Sequence, residues 1–184
     1  MIVVRATSTD GSFVTQAFTI GVTNLNDVAP AITSTAGASV AENTTAVLNL
    51  TATDADGPAA TFAIVGGADA ALFTIVGNQL RFIAPPNFEA PADAGANNFY
   101  DVQVRASDGI NVPTIQSIAV ALTNVNEAPA GADGTVTTAE DTAYVLKTTD
   151  FGFGDPDAGA SLAAVRITGL PGAGTLTLNN VAVT

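Results

Sequence analysis

The chain has 184 residues, 47% of them apolar and only 12% charged, and its 17 acids against 5 bases leave a net charge of −12. That is apolar enough to bury a core and too negative for a nucleic-acid or anionic-membrane partner, both of which need positive surface. Cys and His are both absent, which excludes disulfides, thiolate or imidazole metal sites, thiol nucleophiles and any catalytic triad with an imidazole base.

Met1 is followed by Ile2-Val3-Val4-Arg5-Ala6, which lacks the basic region, apolar run and cleavage site of a signal peptide. No apolar stretch reaches the roughly 18 residues of a membrane span. Direct membrane insertion of these residues is not expected, and an export signal or anchor is expected outside them.

The first predicted strands flank an Asp10-Gly11 turn, and they return later in the chain. Val4-Arg5-Ala6 recurs as Val104-Arg105-Ala106, Gln16 as Gln116, and Thr23-Asn24-Leu25-Asn26-Asp27 as Thr123-Asn124-Val125-Asn126-Glu127, all at a spacing of 100 residues. Ala29-Pro30 recurs as Ala128-Pro129 after a one-residue slip. Ala41-Glu42 matches Ala139-Glu140, Val47-Leu48 matches Val145-Leu146, and Asp54-Ala55-Asp56-Gly57 matches Asp155-Pro156-Asp157-Ala158-Gly159. An ordered series of this kind marks an internal repeat. The chain therefore divides into 1–27, the last two strands of one repeat; 28–127, a whole repeat; and 128–184, the opening of a third. Proline at each boundary fixes φ and suits a short stiff joint.

Within 28–127 the pattern is β throughout. Leu48, Leu50 and Ala52 alternate with Asn49, Thr51 and Thr53; Tyr100, Val102, Val104 and Ala106 alternate with Phe99, Asp101, Gln103 and Arg105; Ile118, Val120 and Leu122 alternate with Ser117, Ala119 and Ala121. Each is a period-2 strand with one buried face. Shorter strands are predicted at 61–65, 73–75 and 79–83, with Asp108-Gly109 as the turn between the last two strands. About seven short strands in roughly 100 residues predict an all-β, immunoglobulin-like Greek-key β-sandwich. No segment has helical periodicity.

The acids fall at strand ends and in loops, at the two poles of such a sandwich. Asp108 and Asn124 end strands, Asp54 and Asp56 follow one, Glu42 precedes one, and Glu89 lies in the loop Pro85-Pro86-Asn87-Phe88-Glu89. Carboxylate and amide oxygens suit calcium or magnesium. Asp69, Asp93, Asp101 and Asp133 read as solvated surface.

Together these motifs resemble tandem cadherin repeats of the bacterial, large-adhesin kind. The resemblance rests on Ala41-Glu42-Asn43, Asp54-Ala55-Asp56, Asn87-Phe88-Glu89, Ala106-Ser107-Asp108 and the linker Asn24-Leu25-Asn26-Asp27-Val28-Ala29-Pro30. It covers essentially all of 1–127; residues 128–184 are closer to a related tandem-repeat family. It implies Ca2+ bound at joints between neighbouring repeats. The first joint would use Asn24, Asn26, Asp27, Asp54, Asp56 and Asp108, with Asp10 as the earlier counterpart of Asp108. The second would use Glu42, Glu89, Asn124, Asn126, Glu127, Asp155 and Asp157. Asn87, Asn24 and Asn124 stand where the family has acids, and Glu127 where Asp is usual, which implies lighter loading, with dissociation constants in the range of about 10⁻⁴–10⁻³ M of extracellular modules.

The resemblance further implies a cell-surface or secreted protein without catalytic activity. Its partners would be calcium ions, the neighbouring repeats of the same chain, and cell-surface proteins or glycans, but not nucleic acid. A passive spacer holding a distant domain is the alternative. The missing Trp argues against adhesion by Trp exchange. An EF-hand at Asp54 fails because Val65 stands where the bidentate Glu belongs and no helix flanks the loop. Composition does not exclude a glycosidase carboxylate pair, but nothing suggests a cleft lined with aromatics.

Overall fold

The computed structural model describes residues 1–184. Two compact units divide it, Met1–Thr123 and Asn124–Thr184.

The first unit opens with an antiparallel ribbon of β1 (Ile2–Thr7) and β2 (Phe13–Phe18). Every residue of both strands is exposed, and the Arg5 guanidinium lies 3.7 Å from the centre of the Phe13 ring, a cation–π contact. Nine strands follow: β3 (Ala31–Ile32), β4 (Gly37–Ala41), β5 (Ala46–Asn49), β6 (Ala52–Thr53), β7 (Thr61–Gly66), β8 (Phe73–Val76), β9 (Gln79–Phe82), β10 (Phe99–Ser107) and β11 (Thr114–Thr123). They form a four-stranded sheet in the order β4-β11-β10-β7, a three-stranded sheet β5-β9-β8 and the short pair β3-β6. Only β4 and β11 pair in parallel. The result is the expected all-β sandwich, with a mixed sheet.

The period-2 reading explains the core. Tyr100, Val102, Val104 and Ala106 on β10 are buried, while Phe99, Asp101, Gln103 and Arg105 between them are exposed. Ile118, Val120 and Leu122 on β11 behave alike. They pack against Leu50, Phe73, Leu80 and Phe82 of the facing layer. Phe73 stacks on Phe82 at 4.5 Å between ring centroids, and Tyr100 meets Phe82 edge-on at 5.1 Å. Burying each such side chain contributes about 1.5–3 kcal/mol. Leu48, Leu50 and Ala52 keep their alternation, yet the segment is split: β5 pairs with β9, and β6 with β3. Leu50 and Thr51 separate the two strands. Gly67, at φ +104°, closes the end of β7 where the main chain of Asp101 and Val102 leaves no room for a Cβ.

The sequence match between 4–16 and 104–116 is accompanied by a match in strand register. Val4 faces Gln16 in the ribbon, and Val104 faces Gln116 in the sandwich.

The second unit holds far less regular structure. It contains β12 (Thr177–Leu178) paired with β13 (Val181–Ala182), a 3-10 turn at Thr148–Phe151 and one bridge between Ala130 and Gly154. Val145 and Leu146, the sequence counterparts of Val47 and Leu48, are exposed and outside any strand. No helix in the chain is long and apolar enough to cross a membrane.

Candidate metal centre

Strand β11 joins the two poles of the sandwich. Its ten residues span roughly 30 Å. Asp108 and Asn111 lie just before it, and Glu42 meets its far end, where the Glu42 N–H donates to the Thr123 carbonyl at 3.0 Å.

At the first pole the linker 24–28 is stapled onto two Asp motifs. Asp54 folds the Asp54–Gly57 turn onto itself: its Oδ1 accepts the N–H groups of Asp56 and Gly57 at 3.1 and 2.7 Å. This is the local turn that Asp favours. The turn presents the Asp56 carboxylate to the linker, where it accepts the Asp27 N–H at 3.0 Å and the Val28 N–H at 3.3 Å. The Asn24 amide donates to the Asp56 carbonyl at 3.0 Å. The Asp27 N–H is the foremost reason the Asp56 carboxyl sits below the ordinary carboxylate range.

Asp108 brings the third arm from the β10–β11 turn. Its Oδ1 accepts the N–H groups of Ile110 and Asn111 at 3.0 and 2.9 Å, and its Oδ2 accepts the Asn111 side-chain amide at 2.7 Å. These donors, the Ile110 N–H first, hold its pKa down to about 2. The same Asn111 Nδ2 reaches the linker, donating to Asn26 Oδ1 at 3.0 Å and to the Val28 carbonyl at 3.1 Å. Asn24, Asn26, Asp27, Asp54, Asp56 and Asp108, separated by up to 84 residues of sequence, thus lie in one connected network. Sequence reasoning missed Asn111 and the Val28 carbonyl. Neither carries charge, and a main-chain oxygen leaves no compositional trace.

Two features of this pole fit a hard cation. Asp54 Oδ2 is buried with no hydrogen-bond partner, a costly state for a carboxylate oxygen unless a positive charge meets it. A Cβ on Gly57 would lie 2.8 Å from the Asn26 amide and 2.9 Å from Asp54 Oδ2, so the oxygens close tightly around a residue that must lack a side chain. The donor set is oxygen throughout, as calcium prefers.

At the opposite pole Glu42, only 1% exposed, accepts the Phe88 N–H at 2.8 Å through Oε2. Asn87 Oδ1 accepts the N–H groups of Glu89 and Ala90 at 2.7 and 3.0 Å, turning Glu89 inward. Carboxylate oxygens of Glu42 and Glu89 come within 4.8 Å of one another. Glu89 Oε2 is buried without a hydrogen-bond partner.

The loop carrying Glu89 corrects one expectation. Asp69 and Asp93 are not solvated surface; they are 5% and 6% exposed. Asp69 accepts the Ala94 N–H at 2.7 Å and the Asp101 N–H at 2.8 Å. Asp93 accepts the N–H groups of Asn97 and Asn98, the latter at 2.9 Å. Burial pushes the Asp93 carboxyl up, but these N–H donors outweigh it and leave it below its usual range. A 16-residue stretch between β9 and β10 has main-chain N–H groups that no sheet satisfies, and buried carboxylates satisfy them instead. Asp101 and Asp133 are exposed as expected.

Within the second unit Asn124, Asn126, Glu127, Asp155 and Asp157 form a smaller version of the first staple. Asp157 Oδ2 accepts the Glu127 N–H at 2.8 Å, and Asp157 Oδ1 accepts the Asn124 amide at 2.9 Å. Asp155 Oδ1 accepts the Asp157 N–H at 3.0 Å. The Asn126 amide donates to the Glu127 carbonyl at 2.9 Å. In the ribbon, Asp10 accepts from the N–H and hydroxyl of Ser12 at 3.0 and 2.7 Å, an exposed turn without further ligands beside it.

No protein-family model matches the chain, and no curated protein matches it. Solved structures do. The human desmocollin-1 ectodomain aligns at a TM-score of 0.51 with 23% identity over 66% of this chain and 26% of that one. The extracellular cadherin domains 1–4 of protocadherin gamma B7 align at 0.47 with 18% identity over 77% and 44%, and Drosophila N-cadherin at 0.45 with 18% identity over 58% and 28%. The chain spans about a quarter of the length of the desmocollin ectodomain. That likeness shows the fold: an immunoglobulin-like β-sandwich of the cadherin type.

Proposed function

We propose that this chain is a calcium-binding, non-enzymatic segment of a cell-surface or secreted adhesin, built from tandem cadherin-type repeats whose joints calcium stiffens. The first joint takes calcium through Asn24, Asn26, Asp27, Asp54, Asp56 and Asp108, with the Val28 carbonyl added. Glu42 and Glu89 offer further carboxylate oxygens at the far pole of the first unit, and Asn124, Asn126, Glu127, Asp155 and Asp157 offer a second oxygen set within the second unit. The observation that carries the reading is the buried, unpartnered Asp54 Oδ2 inside a network that ties linker, Asp-x-Asp turn and Asp108 together. Either set offers the six to eight oxygens or so that calcium takes.

Electrostatics supports a cation. Carboxylates as near as those of Glu42 and Glu89, within 4.8 Å, repel by about 3–4 kcal/mol at an effective dielectric near 20. A divalent ion reverses that sign. At ten times its dissociation constant it adds only about 1.4 kcal/mol to stability, so its main effect is on the stiffness of the joints.

Calorimetric titration of the full chain with calcium tests the reading. Binding is expected with dissociation constants of about 10⁻⁴–10⁻³ M, and the double substitution Asp54→Ala, Asp56→Ala lowers the stoichiometry. Unaltered stoichiometry in that variant rejects the first-joint assignment.

A further inference from the structure

Asn111 stands out because one amide nitrogen serves three acceptors. Its Nδ2 lies 2.7 Å from Asp108 Oδ2, 3.0 Å from Asn26 Oδ1 and 3.1 Å from the Val28 carbonyl. An NH2 group has two hydrogens, so three acceptors crowd two donors. The opposite orientation would turn Oδ1 onto three oxygens and is repulsive, so chemistry fixes which end points inward. The side chain is half-buried and sits three residues after Asp108. The acceptors come from two distant segments, the linker and the β10–β11 turn. Asn111 is therefore what ties the linker to the Asp108 arm.

An amide N–H pair is a partial positive charge. Calcium gathers its oxygens at about 2.3–2.6 Å, and here oxygens are already drawn around a nitrogen in a pole that also holds Asp27, Asp54 and Asp56. Resting on the calcium reading above, we propose that Asn111 is an affinity-setting residue. Its amide claims three of the oxygens a divalent cation would take, so the linker stays docked when calcium is scarce and the ion must displace the amide to load. The apparent affinity of a site whose oxygens are engaged is reduced by the fraction of time they are free. This sets the calcium concentration at which the joint responds, without changing any ligand.

The test uses the full chain carrying Asn111→Ala or Asn111→Asp, with melting followed in chelator and in excess calcium, and calcium affinity measured by calorimetry. In chelator, Asn111→Ala melts below the parent, because the linker loses its brace. In saturating calcium the two melt alike. Its affinity for calcium is about tenfold tighter, equivalent to about 1.4 kcal/mol. Asn111→Asp adds a carboxylate in place of the donor; it melts lower still in chelator and binds calcium more tightly than Asn111→Ala. Should Asn111→Ala fail to fold without calcium, its melting in calcium and the Asn111→Asp affinity still decide. Weaker or unchanged calcium binding in Asn111→Ala overturns the proposal while leaving the calcium site standing. A parent chain that binds no calcium overturns both.

Discussion

Two linkers, 24–28 and 124–127, run the same local program to different depths. In each, the second Asp of an Asp-x-Asp turn accepts the N–H of the linker acid, Asp27 at 3.0 Å in one case and Glu127 at 2.8 Å in the other. In each, the first Asp of the turn accepts the N–H of the second, at 3.1 and 3.0 Å. The staple needs only a short turn and a nearby strand of main chain, so it forms beside a full sandwich and beside a unit with two-residue strands alike. The third arm is different. Asp108 and Asn111 reach the linker at 24–28 because eight register pairs between β10 and β11 hold their turn in place, and residues 124–184 hold no such hairpin. The turn inside each staple is local; the third arm is a property of the fold.

The largest effect is expected in the core. Phe82→Ala removes a ring that is 3% exposed and stacked on Phe73, and should cost about 3–5 kcal/mol. Denaturant unfolding measures the loss. Amide exchange should show protection falling along β10 and β11, while the Glu127 N–H, bonded locally to Asp157, keeps its protection.

A smaller effect is expected at Gly57. The second turn carries Ala158 at the matching position, yet Gly57→Ala would drive a Cβ to 2.8 Å from the Asn26 amide. Overpacking of this kind costs about 1–3 kcal/mol. Calcium affinity at the first pole should fall with it. A variant as stable as the parent would mean that the linker relaxes freely away from the turn.

The acid response should be smallest in energy but sharp in position. With Asp108 held at about 2, below the roughly 3.9 of a free Asp, its bracing is fully present above the unfolded value and is lost as pH falls through the folded one. Carboxyl resonances followed by NMR should place the Asp108 midpoint near 2 and that of Asp56 below the ordinary range. A midpoint near the free value for Asp108 would mean that its N–H donors do not hold it.

The sequence made the strands and poles legible because both are periodic or local signals. Val102, Val104 and Ala106 alternate with polar neighbours, and each Asp-x-Asp turn is written in four consecutive residues. What stayed illegible depends on long-range partners. Asp69 and Asp93 look like any loop acid until a strandless stretch of main chain needs acceptors. Asn111 carries no charge and acquires its role only when the turn meets a linker more than 80 residues earlier. Val47-Leu48 and Val145-Leu146 read alike, but β5 exists because β9 pairs with it.

Whether calcium stiffens the proposed joints is decided by small-angle X-ray scattering of the full chain in chelator and in millimolar calcium. Calcium should narrow the distribution of lengths and shift it toward more extended forms, and Asp54→Ala with Asp56→Ala should blunt the change. Identical scattering with and without calcium would contradict it.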